Sequence, residues 1–112
     1  MQMVMAVVSP ARFEEVREAL AAIGVGGMTV SEVMGFGRQK GKTEFYRGTE
    51  YEIQFRPKMR IEVAVPAERT DMVIEAIREK ANTGRIGDGK IFVTDLARTV
   101  RIRTGELDED AI

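Results

Sequence analysis

The sequence predicts an α+β protein: a ferredoxin-like βαβ-βαβ sandwich with a long loop between its two halves. Each half repeats one order of signals, namely an apolar strand-like run, a proline, an amphipathic helix, a glycine-containing turn and a second strand-like run. The chain has 112 residues, which suits one domain with one modest core. Two helices cover only one face of a four-stranded sheet. We therefore predict self-association, which would bury the other face.

The first half begins with the continuous apolar run 3–8, which is typical of a buried strand and stops at Ser9-Pro10. Four apolar residues then recur at three- and four-residue steps: Phe13, Val16, Leu20 and Ile23. This spacing predicts an amphipathic helix, and Gly24 is the expected residue at its C-terminus. Residues 28–33 predict the second strand.

The second half follows the same order. Residues 60–65 alternate between apolar and other side chains and predict a strand that Pro66 ends. A second amphipathic helix is predicted from five apolar residues: Met72, Val73, Ala76, Ile77 and Ala81. Residues 82–89 form a turn with several glycines, and 91–93 supply the fourth strand.

A connection without sustained apolar periodicity, residues 37–58, separates the two halves. It carries six lysines and arginines against three glutamates, so its net charge is +3 in a chain of net charge -1, and it holds both tyrosines. Such long connections inside a compact domain are usually functional or disordered. We therefore predict a flexible loop that a partner reads, although a solvated hairpin without a role remains an alternative. The single domain spans 1–112, with a C-terminal segment at 97–112.

Composition excludes several kinds of chemistry. The chain contains no cysteine and no histidine, so it has no disulfide, thiol nucleophile, Cys/His zinc site or imidazole acid–base catalyst. The near-neutral net charge predicts no general attraction to nucleic acid or to a membrane surface. No apolar run approaches the roughly 20 residues of a membrane span, and residues 1–8 do not resemble a signal peptide. A cytoplasmic protein is expected.

Three segments suggest an anion site. Glycines in Gly35–Gly41 and Gly84–Lys90 allow backbone N–H groups to approach an anion, and basic residues accompany both runs. In an extended segment, Arg101 and Arg103 would project from one face while Val100 and Ile102 pack inward. Each signal has a plain alternative, because glycines also form turns and charges also protect edge strands. Together they predict a polyanionic ligand, of which a nucleotide is the obvious class.

Taken jointly, four segments resemble the PII nitrogen-regulatory signal-transduction protein family (GlnB/GlnK type): 35–41, 46–51, 83–92 and 101–106. The resemblance covers essentially the whole chain. It implies a homotrimer with ATP or ADP bound between protomers. One protomer would contribute Gly35, Gly37, Arg38, Gln39, Gly87, Asp88, Gly89 and Lys90. Its neighbour would contribute Thr29, Glu62, Ala64, Arg101 and Arg103.

The resemblance further implies 2-oxoglutarate bound beside ATP and Mg²⁺. Residues assigned to the keto acid are Gln39, Lys40, Gly41, Lys58 and Gly87, with Gln39 also reaching the metal and Lys58 pairing with the distal carboxylate. Tyr51 matches the loop-tip tyrosine that can be nucleotidylated. The implied partners are an ammonium channel, a sensor kinase, or a nucleotidyltransferase or other enzyme that controls glutamine synthetase. A membrane would be approached only through the channel.

Six positions depart from the family pattern: Ser9, Arg12, Phe13, Met34, Thr49 and Arg56. They put the choice of partner in doubt, not the ligand residues.

Two other functions remain as alternatives. A small nucleotide-hydrolysing or transferring enzyme would use Asp88, Glu62 or Lys90, and an RNA-binding module would share the βαββαβ order. RNA modules stack bases on strand aromatics, of which the predicted strands hold only Phe92, so no nucleic-acid partner is expected.

Overall fold

A computed structural model describes residues 1–36 and 55–112 of the chain. In these ranges the strands are β1 (Gln2–Val8), β2 (Thr29–Gly35), β3 (Arg56–Val65) and β4 (Gly89–Asp95), and the α-helices are α1 (Phe13–Ala22) and α2 (Thr70–Ala81). Short 3₁₀ turns cover Pro10–Arg12, Ala67–Arg69 and Asp108–Ala111. None of the described helices has the length and apolar character that crossing a membrane requires.

The sheet has the order β2-β3-β1-β4, and each neighbouring pair is antiparallel. The order of elements, β1-α1-β2 followed by β3-α2-β4, is that of two βαβ halves. The predicted ferredoxin-like α+β fold is therefore confirmed.

The core lies between the two helices and one face of the sheet. Alternate residues of β1 and β3 are buried on this face: Val4, Ala6 and Val8, and Ile61, Val63 and Val65. The helices bury Val16 and Leu20 of α1, and Val73, Ile77 and Ala81 of α2, against them. The four-residue spacing of these helical side chains places them on one stripe of each helix, as the periodicity predicted.

The opposite face of the sheet is called here the open face, because no described element covers it. Met3, Met5 and Val7 of β1 point to this face and are only partly buried. Phe92 of β4 stands beside Met5 in the strand register and is 47 % exposed. The face therefore presents apolar side chains that burial against another surface would stabilise.

The main difference from the predicted elements is the start of β3. The strand begins at Arg56, not at Arg60, because residues 56–59 pair with the end of β2 in the register Gly35 to Arg56 and Val33 to Lys58. Arg56, Pro57 and Lys58 were predicted to lie in the loop 37–58 but belong to the strand. These residues are polar or proline, so apolar periodicity does not indicate a strand there. Their pairing with the edge strand β2 makes them part of β3. Residues 37–54 lie outside the described residues.

Two arginines join the halves reciprocally. Arg12 ends the 3₁₀ turn before α1, and its Nε donates to the Lys80 carbonyl oxygen in the last turn of α2 at 2.8 Å. Arg69 ends the corresponding turn before α2, and its Nη2 donates to the Ile23 carbonyl oxygen at the C-terminal end of α1. Because α1 has no basic residue in its own last turn, Arg69 supplies the positive charge that complements this end of its dipole.

Replacing either arginine should destabilise the fold. We expect Arg12→Ala and Arg69→Ala each to lower the free energy of unfolding by about 0.5–1.5 kcal/mol, because a carbonyl group at a helix end loses its donor. Urea unfolding followed by circular dichroism measures the change. Arg17→Ala is the control, since Arg17 forms an exposed ion pair with Glu14 inside α1. An equal or larger loss for Arg17→Ala would contradict the capping role.

Candidate functional site

The candidate site lies where one end of each strand meets the others. Val8, at the carboxyl end of β1, pairs with Met59 of β3 on one side and with Gly89 of β4 on the other. Lys58 therefore comes close to the chain that enters β4, and its Nζ donates to the Gly87 carbonyl oxygen at 2.6 Å. This contact joins the base of the central loop to the glycine-containing turn 82–89, which we call the glycine loop.

The end of β2 completes this edge. Gly35 is the last residue of β2, and Lys58 lies against it closely enough that a Cβ on Gly35 would meet the lysine Cγ at 3.8 Å. Just beyond the two strand ends, the rings of Phe36 and Phe55 pack edge to face with their centroids 5.4 Å apart. Both rings are exposed, and their contact joins the residue that follows β2 to the residue that precedes β3.

The glycine loop is organised by the Asp88 side chain. Its carboxylate accepts hydrogen bonds from Thr83 N at 2.7 Å, from Thr83 Oγ1 at 2.5 Å and from Gly84 N at 3.0 Å. The Asn82 side chain adds a bond from Gly84 N at 2.9 Å. The Thr83 hydroxyl first, with the backbone N–H groups beside it, lowers the pKa of Asp88 below its usual range. The carboxylate thus fixes the shape of its own loop.

Gly87 and Gly89 flank Asp88, and both have positive φ angles, 105° and 104°. Gly89 also lies directly against β1: a Cβ there would overlap the Val7 carbonyl oxygen. Only glycine permits this approach together with the left-handed backbone. Reversals of this kind turn successive N–H groups into a concave surface suited to phosphate oxygens.

A groove of about 420 Å³ opens beside the glycine loop, between α2 and β4. Its apolar wall includes Ile77 and Ile91, and its polar rim includes Asp88, Gly89 and Lys90. A volume of this size falls in the range typical of small-molecule sites. The loop is therefore accessible to a ligand.

The residues predicted from the sequence fall into three groups in the described structure. The first is the end just described: Gly35, Lys58, Gly87, Asp88, Gly89 and Lys90. The second lies on the open face, where Thr29 and Glu62 are direct partners across β2 and β3 and Ala64 follows two residues along. The third, Arg101 and Arg103, lies beyond the far end of β4, a strand that spans about 20 Å. Gly37, Arg38, Gln39, Lys40, Gly41 and Tyr51 lie outside the described residues.

The prediction of an extended segment around Arg101 and Arg103 is wrong. Residues 102–104 form a turn, closed by hydrogen bonds from Gly105 N to the Arg101 carbonyl oxygen and from Arg101 N to the Glu106 carbonyl oxygen. Ile102 is 99 % exposed and Val100 is 52 % exposed, so neither packs inward within this chain. The cause is Gly105, whose φ of 76° reverses the chain where alternation assumed a strand.

Sequence reasoning missed two features. The Lys58–Gly87 hydrogen bond joins residues that are 29 positions apart in the sequence, and no local sequence pattern predicts such a contact. The capping of the glycine loop by Asp88 was read as a ligand contact. A threonine at the first position of a glycine-rich turn and an aspartate five residues later could have indicated it, since both side chains bind nearby backbone groups in turns.

Fold and site together define a class: a ferredoxin-like domain whose strand ends carry an ordered glycine loop, a lysine bridging to it and a long connection between the halves. Comparison with known proteins specifies the family. The family described as nitrogen regulatory protein P-II matches residues 1–106. The chain is 58 % identical to nitrogen regulatory protein P-II of Rhizobium etli, 56 % to that of Pasteurella multocida and 55 % to nitrogen regulatory protein P-II 1 of Escherichia coli, covering 100 % of each chain in every case.

The chain therefore belongs to the P-II family of nitrogen regulatory proteins. This family is regulatory and not catalytic, so the enzyme alternative is not retained. The resemblance stated from the four sequence segments is confirmed, since the match extends over both halves of the fold.

Gly89→Ala should be far more damaging than Gly84→Ala. Both glycines have positive φ angles, 104° and 81°, but a Cβ on Gly84 meets no atom within 4 Å among the described residues. Backbone strain alone costs about 1–2 kcal/mol at Gly84. Overlap with Val7 should raise the loss at Gly89 to about 3 kcal/mol or more. Thermal unfolding at matched concentration compares the two, and equal losses would contradict the close approach.

Asp88 should titrate below the ordinary aspartate range. Because its pKa in the folded state is lowered, its hydrogen bonds contribute fully above the ordinary carboxyl pKa and are lost as pH falls through the lowered value. The amide proton shifts of Thr83 and Gly84, followed by NMR from neutral to acidic pH, should report this titration. Asp88→Asn should abolish it, and a midpoint at or above the ordinary value would contradict the capping geometry.

Proposed function

We propose that this chain is a signal transducer that senses ATP or ADP together with 2-oxoglutarate and regulates targets of nitrogen metabolism through the loop between β2 and β3. The observation that carries the proposal is the hydrogen bond from Lys58 Nζ to the Gly87 carbonyl oxygen. It places a cation between the base of that loop and the glycine loop, where one ligand would contact both.

The glycine loop supports binding of a nucleotide phosphate group. Its backbone is held by hydrogen bonds to the Asp88 side chain, so the N–H groups of Gly87 and Gly89 would need little reorganisation to bind an anion. Lys90 follows the loop immediately and shares the open face with Val7. The residues present thus fit a polyphosphate: Gly87, Gly89 and Lys90 would hold it, with Gly35 at the end of β2. Asp88 would act through its backbone, because its carboxylate serves the loop.

Lys58 supports binding of a dicarboxylate such as 2-oxoglutarate. Its ammonium group already lies at the strand ends and exchanges a neutral carbonyl partner for a charged one when an anion arrives. Gln39, Lys40 and Gly41, the other residues proposed for the keto acid, lie outside the described residues, as does Gln39 as the contact to Mg²⁺. Bound Mg²⁺ would supply positive charge that stabilises the bound anions.

Assembly into a homotrimer would complete the site. Within one chain, the contacts of Arg101 lie in the C-terminal segment, while the glycine loop adjoins the other end of β4. A neighbouring protomer would bring Arg101 and Arg103, and with them Thr29, Glu62 and Ala64, to the nucleotide. The open face favours such packing, because Met5, Val7 and Phe92 would leave water on association.

The switch follows from the bridging position of Lys58. A ligand that engages both Lys58 and the glycine loop favours one arrangement of the loop base, and a ligand that engages only the glycine loop does not. Partners would then bind the loop between β2 and β3 according to the population of its conformations. We propose as partners an ammonium channel, a sensor kinase or a nucleotidyltransferase controlling glutamine synthetase, with Tyr51 as the site of nucleotidylation, in the cytoplasm.

Calorimetry tests the ligand order. 2-Oxoglutarate should bind the wild-type protein in the presence of Mg²⁺ and ATP and should not bind without nucleotide. Lys58→Met should weaken keto-acid binding about 10- to 100-fold, since a charged hydrogen bond is lost. ADP binding should change much less in the same variant, because the glycine loop remains intact.

Lys80→Met is the matched control, since it removes one lysine from the exposed side of α2. Light scattering should give three times the chain mass of 12.5 kDa for every variant. A wild-type protein that binds neither ATP nor ADP, or that binds 2-oxoglutarate equally well without nucleotide, would refute the proposal.

A further inference from the structure

The turn that carries Arg101 has an ordered interior. Arg101 N donates to the Glu106 carbonyl oxygen at 2.9 Å, and Gly105 N donates to the Arg101 carbonyl oxygen at 2.7 Å. An isolated antiparallel bridge between Val100 and Leu107 closes the base of the turn. These bonds fix the backbone on both sides of Arg101 and place Glu106 opposite it.

The side chains repeat this pairing. Arg101 Nη1 donates to Glu106 Oε1 at 2.9 Å, and Thr104 Oγ1 donates to the same oxygen at 2.7 Å. The Thr104 hydroxyl oxygen in turn accepts from Glu106 N at 3.2 Å. Thr104 therefore holds the Glu106 carboxylate in place independently of its ion pair with Arg101.

We propose that Glu106, anchored by Thr104, is the positioning residue that fixes the Arg101 guanidinium for binding nucleotide phosphate. The inference rests on the proposed function, in which Arg101 contacts the nucleotide. One nitrogen of the planar guanidinium is tied to Glu106, and Nη2 makes a longer contact of 3.5 Å to the Ala111 carbonyl oxygen. The remaining N–H donors of this rigid fork are left for an anion.

Two effects of Glu106 on phosphate binding oppose each other. Its negative charge repels phosphate, but both partners of the ion pair are about half exposed, so solvent and salt weaken this repulsion. Its hydrogen bonds already restrict the rotation of the long Arg101 side chain. Ligand binding then costs less conformational entropy, because that freedom does not have to be lost on binding. Because Arg101 is restrained at the backbone and at the guanidinium, we expect positioning to outweigh repulsion.

A double-mutant cycle on the full chain tests the assignment, with ADP as the titrant in calorimetry. Glu106→Ala should raise the Kd for ADP about three- to tenfold, as expected when one ordered side chain must be immobilised on binding. Glu106→Gln should lose less, because its amide oxygen still accepts from Arg101 and Thr104. In an Arg101→Ala background, Glu106→Ala should leave the Kd unchanged, since the residue it positions is gone.

Glu109→Ala is the matched control, because it removes one negative charge from the same segment and should leave the Kd unchanged. Tighter ADP binding by Glu106→Ala or Glu106→Gln would show that the carboxylate competes with phosphate and would overturn the assignment. An equal loss with and without Arg101 would assign Glu106 a general structural role and would also overturn it. A Kd for ADP that is the same in Arg101→Ala as in the wild-type protein would overturn the assignment as well. A wild-type protein that does not bind ADP would refute the proposed function itself.

Discussion

The pairing of β1 on both of its edges is the constraint on which the rest of the structure depends. Val8 meets Met59 on one side and Gly89 on the other, so the segments that enter β3 and β4 converge at one end of the sheet. Lys58 reaches Gly87 only in this register. A slip of β3 by one residue would turn Lys58 toward the helices and turn Ile61, Val63 and Val65 away from the core. The same pairing thus builds the core and the candidate site.

Two charged side chains at this end of the sheet, Asp88 and Lys58, have different kinds of hydrogen-bond partner. The Asp88 carboxylate is directed into its own loop by three hydrogen bonds, and its lowered pKa keeps it ionised there. Lys58 bonds to a carbonyl oxygen, which is a weaker partner than an anion. The described residues therefore hold a fixed scaffold beside an exchangeable cation, an arrangement that suits reversible binding and the regulatory class of the family.

The sequence predicted most of the fold because strand and helix periodicities are local. Four strands, two helices and the glycine loop all lie where apolar spacing and glycines indicated. What it missed depends on distant partners: residues 56–58 become strand only beside β2, and the chain near Arg101 reverses at Gly105. The glycine loop and Lys58 were predicted as ligand residues through a family resemblance, and they stay a prediction, whereas the bond between Lys58 and Gly87 required the structure.

The reciprocal arginines join the two halves independently of the chain between β2 and β3. Arg12 and Arg69 occupy equivalent places in two halves with the same order of elements, and each donates to a carbonyl group at the C-terminal end of the other half's helix. Sheet pairing from Gly35 to Arg56 already brings the two halves together. The entropic cost of closing a connection grows slowly with its length, so changes in the length of the chain between β2 and β3 should leave the fold of the two halves intact.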